Sequence, residues 1–196
     1  MLPENIIYIG VLLNLIGEIS YLRSMFLGHA KPNLVSWFIW MLAPFIGVFF
    51  QLKAGAGLSV LPVFMMGFGP FLVMVYSLYL KNGYWKITLF DSICGFLSLI
   101  ALGLYVWTHN IEISIIFVIL SDGLAAIPTI VKSWKFPETE SSYVYIVGIL
   151  NNILGLLIIK EWIFSIYSLG IYFIVINTII SFAILRKKIL KKEASS

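Results

Sequence analysis

Residues 113–133 read ISIIFVILSDGLAAIPTIVKS. The only charged side chains in the run are Asp122, nine residues in, and Lys132, next to its end. The hydrocarbon core of a bilayer takes about 20 mainly apolar residues per helix, and every backbone polar group inside it must be satisfied by the segment itself or by a closed barrel. This run is long enough to cross, and too continuous for the alternating strands of a barrel. It reads as a transmembrane helix with a carboxyl group near its middle.

Six runs of the same kind surround it, over 6–27, 34–52, 58–80, 89–108, 143–159 and 163–185. The breaks between the seven are short and rich in charge or turn formers: GHAKPN, KAGAG, KNGYWK, HNIE, KFPETES and KEW. The whole chain agrees with this reading. Its 196 residues are 61% hydrophobic and 11% charged, with a mean hydropathy of +1.01, whereas soluble domains are about 45–50% apolar and about 25% charged. Disordered and collagen-like classes are excluded by that composition, and a disulfide scaffold by the single cysteine, Cys94. The expected fold is all-α, a polytopic membrane protein of seven transmembrane helices. Residues 1–5 carry no basic segment and no cleavage site of small residues, so the first helix is expected to be retained.

Charge placement sets the expected orientation. Arg23, Lys31, Lys81, Lys86, Lys132, Lys135, Arg186, Lys187, Lys188, Lys191 and Lys192 fall on one side, and only Lys53 and Lys160 on the other. Under the positive-inside rule the N-terminus lies outside and the C-terminus in the cytoplasm. A bacterial inner (plasma) membrane is the expected location. The basic tail over 186–196 reads as a topology anchor against anionic lipid, and no nucleic-acid partner is expected despite the net charge of +4.

Seven spans with termini on opposite sides suit two three-helix repeats joined by a fourth helix that inverts the chain. The expected division is 1–80 for the first repeat, 81–112 for the linker and fourth helix, 113–185 for the second repeat, and 186–196 for the tail. A shift of 105 positions lays Gly17-Glu18 over Asp122-Gly123, Pro32 over Pro137 and Ser36 over Ser141, without a gap. An acid halfway along a helix, a basic loop with proline, and a serine before an aromatic run recur in both copies.

Residues 128–143, PTIVKSWKFPETESSY, resemble the motif of the PQ-loop proteins and SWEET sugar transporters, in which proline-glutamine is followed by two aliphatics, a base, an aromatic and a serine-rich stretch. Pro128, Ile130, Val131, Lys132, Trp134 and Ser141-Ser142 take those places. Thr129 replaces the glutamine, and Arg23-Ser24 stands at the corresponding place of the first copy. The resemblance implies proline hinges, for which Pro44 and Pro128 fit helices two and five, while Pro62 and Pro70 fall in helix three. It implies a central solute site to which Asn177 of helix seven and Trp37 or Trp40 of helix two would belong. Helix three has no asparagine, and helix six offers Tyr143 or Tyr145 where tryptophan would be wanted. A sugar site is thereby weakened, and a cationic or amphipathic solute suits aromatics and acids better through cation–π contact.

Charge at mid-helix costs about 2.5–3.5 kcal/mol on insertion scales and points to function by default. Glu18, 12 residues into its run, and Asp122 lie roughly 18 and 14 Å deep at 1.5 Å per residue. No Lys or Arg shares that depth. Each acid is either protonated and hydrogen-bonded to a neighbouring helix, or reserved for a proton, a metal ion or a cationic solute. Asn14, Gly17, Glu18 and Tyr21 share one helix face by their spacing, and Asp122, Ala125, Ala126, Thr129 and Ser133 form a comparable stripe. Such stripes line a central pathway or serve ordinary helix packing. Of Asn151 and Asn152, about 100° apart on helix six, one is expected to face the centre.

The remaining polar and aromatic residues have plainer readings. Gly67 and Gly69-Pro70 are expected to kink helix three. Tyr84, Trp85, Trp107 and Trp162 read as an interfacial belt, and Asp91 as a partner of Lys86. His29 and His109 lie in loops without a ligand pattern, and Cys94 is expected to pack.

No metal site, cofactor or catalytic residue is expected, since there is neither a nucleophile with a base nor a cluster of metal ligands. A retinal receptor is set aside because the last span has no lysine before Arg186. The expected function is a small-molecule transporter working by alternating access, coupled to protons, for a polar or cationic metabolite. The alternative is a non-transporting receptor or sorting protein on the same scaffold, like the KDEL receptor. A homo-oligomer stands beside the monomer as an open state.

Overall fold

The computed structural model of the chain describes residues 3–80, 84–108 and 110–193, with the backbone alone for 105, 106 and 187–193. His109, residues 81–83 with Lys81, and the last three residues of the chain lie outside the described residues. So do the side chains of Lys187, Lys188, Lys191 and Lys192.

Seven α-helices follow one another: α1 (Ile7–Phe26), α2 (Leu34–Lys53), α3 (Leu61–Leu80), α4 (Leu89–Trp107), α5 (Ile111–Lys135), α6 (Ser142–Leu157) and α7 (Phe164–Glu193). Short 3-10 turns at Glu4–Ile6, Gly57–Val60 and Pro137–Thr139 connect them. Five helices are long and apolar enough to cross a membrane, those in the windows Glu4–Phe26, Leu34–Lys53, Gly57–Leu80, Ile111–Lys135 and Phe164–Arg186. α4 and α6 are apolar but shorter by the same measure. The outward faces tell the same story. Leu12, Ile19, Leu78, Leu89, Phe96 and Phe182 are all exposed, and large apolar side chains turned outward from so many helices mark a face that meets something other than water. The five helices fit an integral membrane protein.

Local chemistry sets the helix ends. The Asn33 side chain accepts from the Val35 and Ser36 amides, and Asn110 does the same for Glu112 and Ile113, so both cap the orphan donors of a helix start. α1 stops where Gly28 takes φ +74°, a left-handed turn that a side chain would resist. Several expected boundaries move, most of them by one or two residues. The third helix begins as a 3-10 turn and becomes α-helical at Leu61, with Pro62 in its first turn, where a missing N–H costs nothing. The fifth opens at Ile111 rather than 113, because Asn110 supplies its cap. The seventh runs on past 185 into the basic tail, whose lysines favour helix and complement the negative end of its dipole.

α3 packs against both α1 and α2, and α7 against both α5 and α6. The two sets meet along two seams, α1 with α6 and α2 with α5, and α4 lies on α5 with a lesser contact to α2. The connections gather at two ends of the bundle. At the basic end the Lys31 amide donates to the Thr139 carbonyl at 3.0 Å and the Trp85 amide to the Pro32 carbonyl at 2.9 Å. At the opposite end Lys160 pairs with Glu4, and Gln51 donates to the Ile166 carbonyl at 2.8 Å.

Candidate functional site

Between the seams lies a central cavity of about 50 Å³, room for about three to five waters at roughly 10–15 Å³ each. Six helices line it: Glu18 from α1, Trp37 and Trp40 from α2, Met66 and Pro70 from α3, Asp122 from α5, Val144 and Tyr145 from α6, and Phe173, Ile176, Asn177 and Ile180 from α7. Among these residues there are two carboxyl groups and no Lys or Arg. The sequence placed both acids near mid-helix; folding turns both inward to one chamber.

The two carboxyls are held differently. Asp122 is 2% exposed; the Tyr172 hydroxyl donates to its Oδ2 at 2.7 Å, and the Trp40 indole N–H donates to its backbone carbonyl at 3.3 Å. Its Oδ1 has no partner among the described residues. Glu18, also 2% exposed, lies against the backbone of α3, and a Cβ built on Gly69 would fall 2.0 Å from its Oε1. Its Oε2 has no partner among the described residues. Each acid thus presents one oxygen with unspent hydrogen-bonding capacity, which in a low-dielectric surround favours a proton or a cation. Asn177 donates to the Phe173 carbonyl at 2.8 Å and meets Met66 Sδ at 3.8 Å.

Gly69 is therefore the floor under Glu18. Gly69→Ala is expected to displace the carboxyl rather than break the helix, because the far end of a side chain yields before backbone does. Overpacking costs typically about 1–3 kcal/mol, and the lower end is expected here. A melting temperature close to the native one, with activity reduced as in a Glu18→Gln protein, is the outcome to look for. Native activity in Gly69→Ala would show that the carboxyl needs no fixed place.

From the cavity an aromatic ladder leads to the basic end. Tyr145 meets Trp40 at 6.4 Å between ring centroids, Trp40 meets Trp37 at 5.6 Å, and Trp37 meets Tyr21 at 4.7 Å. Tyr21 does not line the cavity; its hydroxyl donates to Glu140 Oε2 at 2.9 Å. Glu140 Oε1 lies 2.5 Å from Lys132 Nζ, with both side chains no more than 2% exposed, and Lys132 also donates to the Lys31 carbonyl. Lys132 is thus half of a buried ion pair as well as a charge at a span end. Glu140 was not singled out in the sequence. Its only signal was an acid among loop serines, and the fold of the Pro137–Thr139 turn is what carries it inward.

Other expected residues fall elsewhere. Asn14, Asn151 and Asn152 are buried but do not line the cavity. On α5, Ala125, Ala126, Thr129 and Ser133 are buried, and the Thr129 hydroxyl donates to Ser36 Oγ at 2.9 Å, so that stripe serves the α2–α5 seam. Pro44, Pro70 and Pro128 are buried in helices that continue through them, and only Pro70 reaches the cavity. Asp91 does not pair with Lys86. It caps α4, accepting from the Thr88 amide and hydroxyl at 2.7 and 2.9 Å, because a carboxylate in the first turn satisfies orphan donors. Trp107 and Trp162 are exposed as a belt requires, whereas Trp85 is half-buried against Phe136, centroids 5.2 Å apart. No protein-family model, curated protein or solved structure matches the chain.

Proposed function

We propose that the protein is a small-molecule carrier working by alternating access, coupled to protons, for a polar or cationic metabolite. The observation that carries this reading is the pairing of Glu18 and Asp122, one from each half of the chain, in one aromatic chamber whose lining holds no Lys or Arg. A cation fits that chamber through its acids and through the faces of Trp37, Trp40 and Tyr145. The chamber takes a few waters or an ammonium-sized group, so a larger solute needs the α1–α6 and α2–α5 seams to part. Rocking of two three-helix repeats about a midplane site does this, and the neighbours of α3 and α7 suit that plan, with α4 as the inverting connection. In this reading the likeness to PQ-loop and SWEET proteins extends to the helix plan, not to a sugar substrate.

The basic end is assigned to the cytoplasm of a bacterial inner membrane. Reporter fusions after Ser196 and within residues 53–57 should report the inside and the outside respectively; the same side for both would overturn the plan.

A thermal-shift screen of the purified protein against metabolites at two pH values tests the substrate class. A ligand at a hundred times its Kd stabilises by about 2.7 kcal/mol, and cationic compounds should dominate the hits. Uptake of a hit into proteoliposomes under an imposed proton gradient supports the carrier. Tight binding without flux under any gradient would favour a receptor instead.

A further inference from the structure

Outside the cavity, the largest group of buried polar atoms without partners lies where α1 meets α6. Asn14 and Asn151 are both wholly buried, and among the described residues neither the Nδ2 nor the Oδ1 of either has a hydrogen-bond partner. Asn152 Oδ1 and Glu18 Oε2 share that condition. In a membrane interior such groups are costly unless something satisfies them.

Their placement is regular. Asn14 stands four residues before Glu18 on α1, and four before Asn14 stands Gly10, where a Cβ would fall 2.4 Å from Asn151 Oδ1. Gly10, Asn14 and Glu18 thus mark successive steps of about 6 Å along the helix. Water bridges two polar groups through hydrogen bonds of about 2.8–2.9 Å each, so a short file of waters would join these steps. The chemistry of the open groups agrees. A bare cation would satisfy the amide oxygens and leave both amide nitrogens unmet, whereas water donates and accepts. Asn152 Nδ2 donates to the Gly148 carbonyl at 2.9 Å, one turn back on α6.

We infer that Asn14 and Asn151 hold a file of water along the α1–α6 seam that carries protons to Glu18 from the end of the bundle bearing Glu4 and Lys160. This deepens the carrier reading and rests on it only for the use made of the proton. Beyond Gly10 the wholly buried Ile7 stands between the file and a polar cleft of about 160 Å³ lined in part by Glu4, Ser59 and Lys160, so protons enter when this end of the seam opens. The titratable groups that share the cavity with Glu18 are Asp122 of α5 and Tyr145 of α6, with Tyr21 one turn on along α1 and Tyr172 of α7 bound to Asp122. α2 and α3 bring no titratable side chain to it. Asp122 has its own hydroxyl partner on α7 and no place in the column.

Hydrogen–deuterium exchange of the Glu18 carboxyl, followed by infrared spectroscopy of the full-length protein in liposomes moved into D2O, tests the route without any substrate. The band lost in Glu18→Gln identifies the group. Exchange at Glu18 should slow at least tenfold in Asn14→Leu/Asn151→Leu, while exchange at Asp122 keeps its native rate. Asn151→Leu alone, which removes only the step at Gly10, should slow Glu18 as well and covers the case in which the double variant does not fold. A native rate at Glu18 in a folded leucine variant, or equal slowing at both acids, overturns the inference. So does the absence of any exchanging carboxyl band that Glu18→Gln removes. Fast, asparagine-dependent exchange without solute flux in the native protein would instead uphold the water file and sink the carrier.

Discussion

Asp122→Asn should reduce gradient-driven uptake to the level of empty vesicles. The substitution keeps the size of the side chain, and the Tyr172 hydroxyl can still donate to the remaining carbonyl oxygen at the place it now occupies, 2.7 Å from Oδ2. What it removes is the proton. Binding of a cationic solute should weaken as well, because one of the two acids facing the chamber is gone. Exchange of solute across the membrane without a gradient should suffer less than concentrative uptake, since exchange needs the site but no net proton movement. Glu18→Gln should give the same split. If uptake and its dependence on external pH survive Asp122→Asn, Glu18→Gln and the two combined, the carboxyls are packing groups and the coupling reading is wrong.

The other large effect belongs to the clasp at the basic end. Lys132→Met is expected to cost about 3–5 kcal/mol, because it strands the Glu140 carboxylate away from water; removing one partner of a buried pair is far worse than lacking the pair. At roughly 2–4 °C per kcal/mol for a chain of this size, the melting temperature should fall by an amount on the order of 10 °C. Glu140→Gln should do comparable damage by stranding Lys132, although Tyr21 still finds an acceptor there. The Lys132→Met/Glu140→Gln double variant should regain much of the loss. A double variant no better than the worse single one would mean that the ion pair is not the source of the cost, and that the Lys132 bond to the Lys31 carbonyl is.

The class of fold was legible because hydrocarbon imposes a length and a polarity on each crossing, and both are one-dimensional properties. Asp122 and Glu18 were legible for the same reason: a charge that deep stands out in any window. Which way a side chain turns is a property of pairs of helices. Asn14 and Glu18 are one turn apart on one face, yet Glu18 reaches the cavity beside Gly69 while Asn14 is buried outside its lining. Spacing along a single helix cannot separate those fates. Glu140 was hidden for another reason. A short loop of prolines, serines and acids has no periodicity, and only its docking on α1 and α5 turns one acid inward and leaves Glu138 out of the ion pair. Asp91 was misread because proximity to Lys86 was weighed above the hydrogen-bond demand of a helix start, which Thr88 and Asp91 meet together.

The bond from Tyr21 to Glu140 spans 119 positions of the chain, and that separation has a meaning during synthesis. At about 5–20 residues per second, α1 emerges roughly 6–24 s before the acid that its tyrosine will bind. Asn14, Glu18 and Tyr21 are at that stage polar groups on a helix with no partner from the second half. The newborn α1 is therefore a poor tenant of lipid, and its stay beside the insertion machinery should last until α6 arrives. Ribosomes stalled before residue 140 should leave α1 within reach of crosslinks to that machinery, and the finished chain should not.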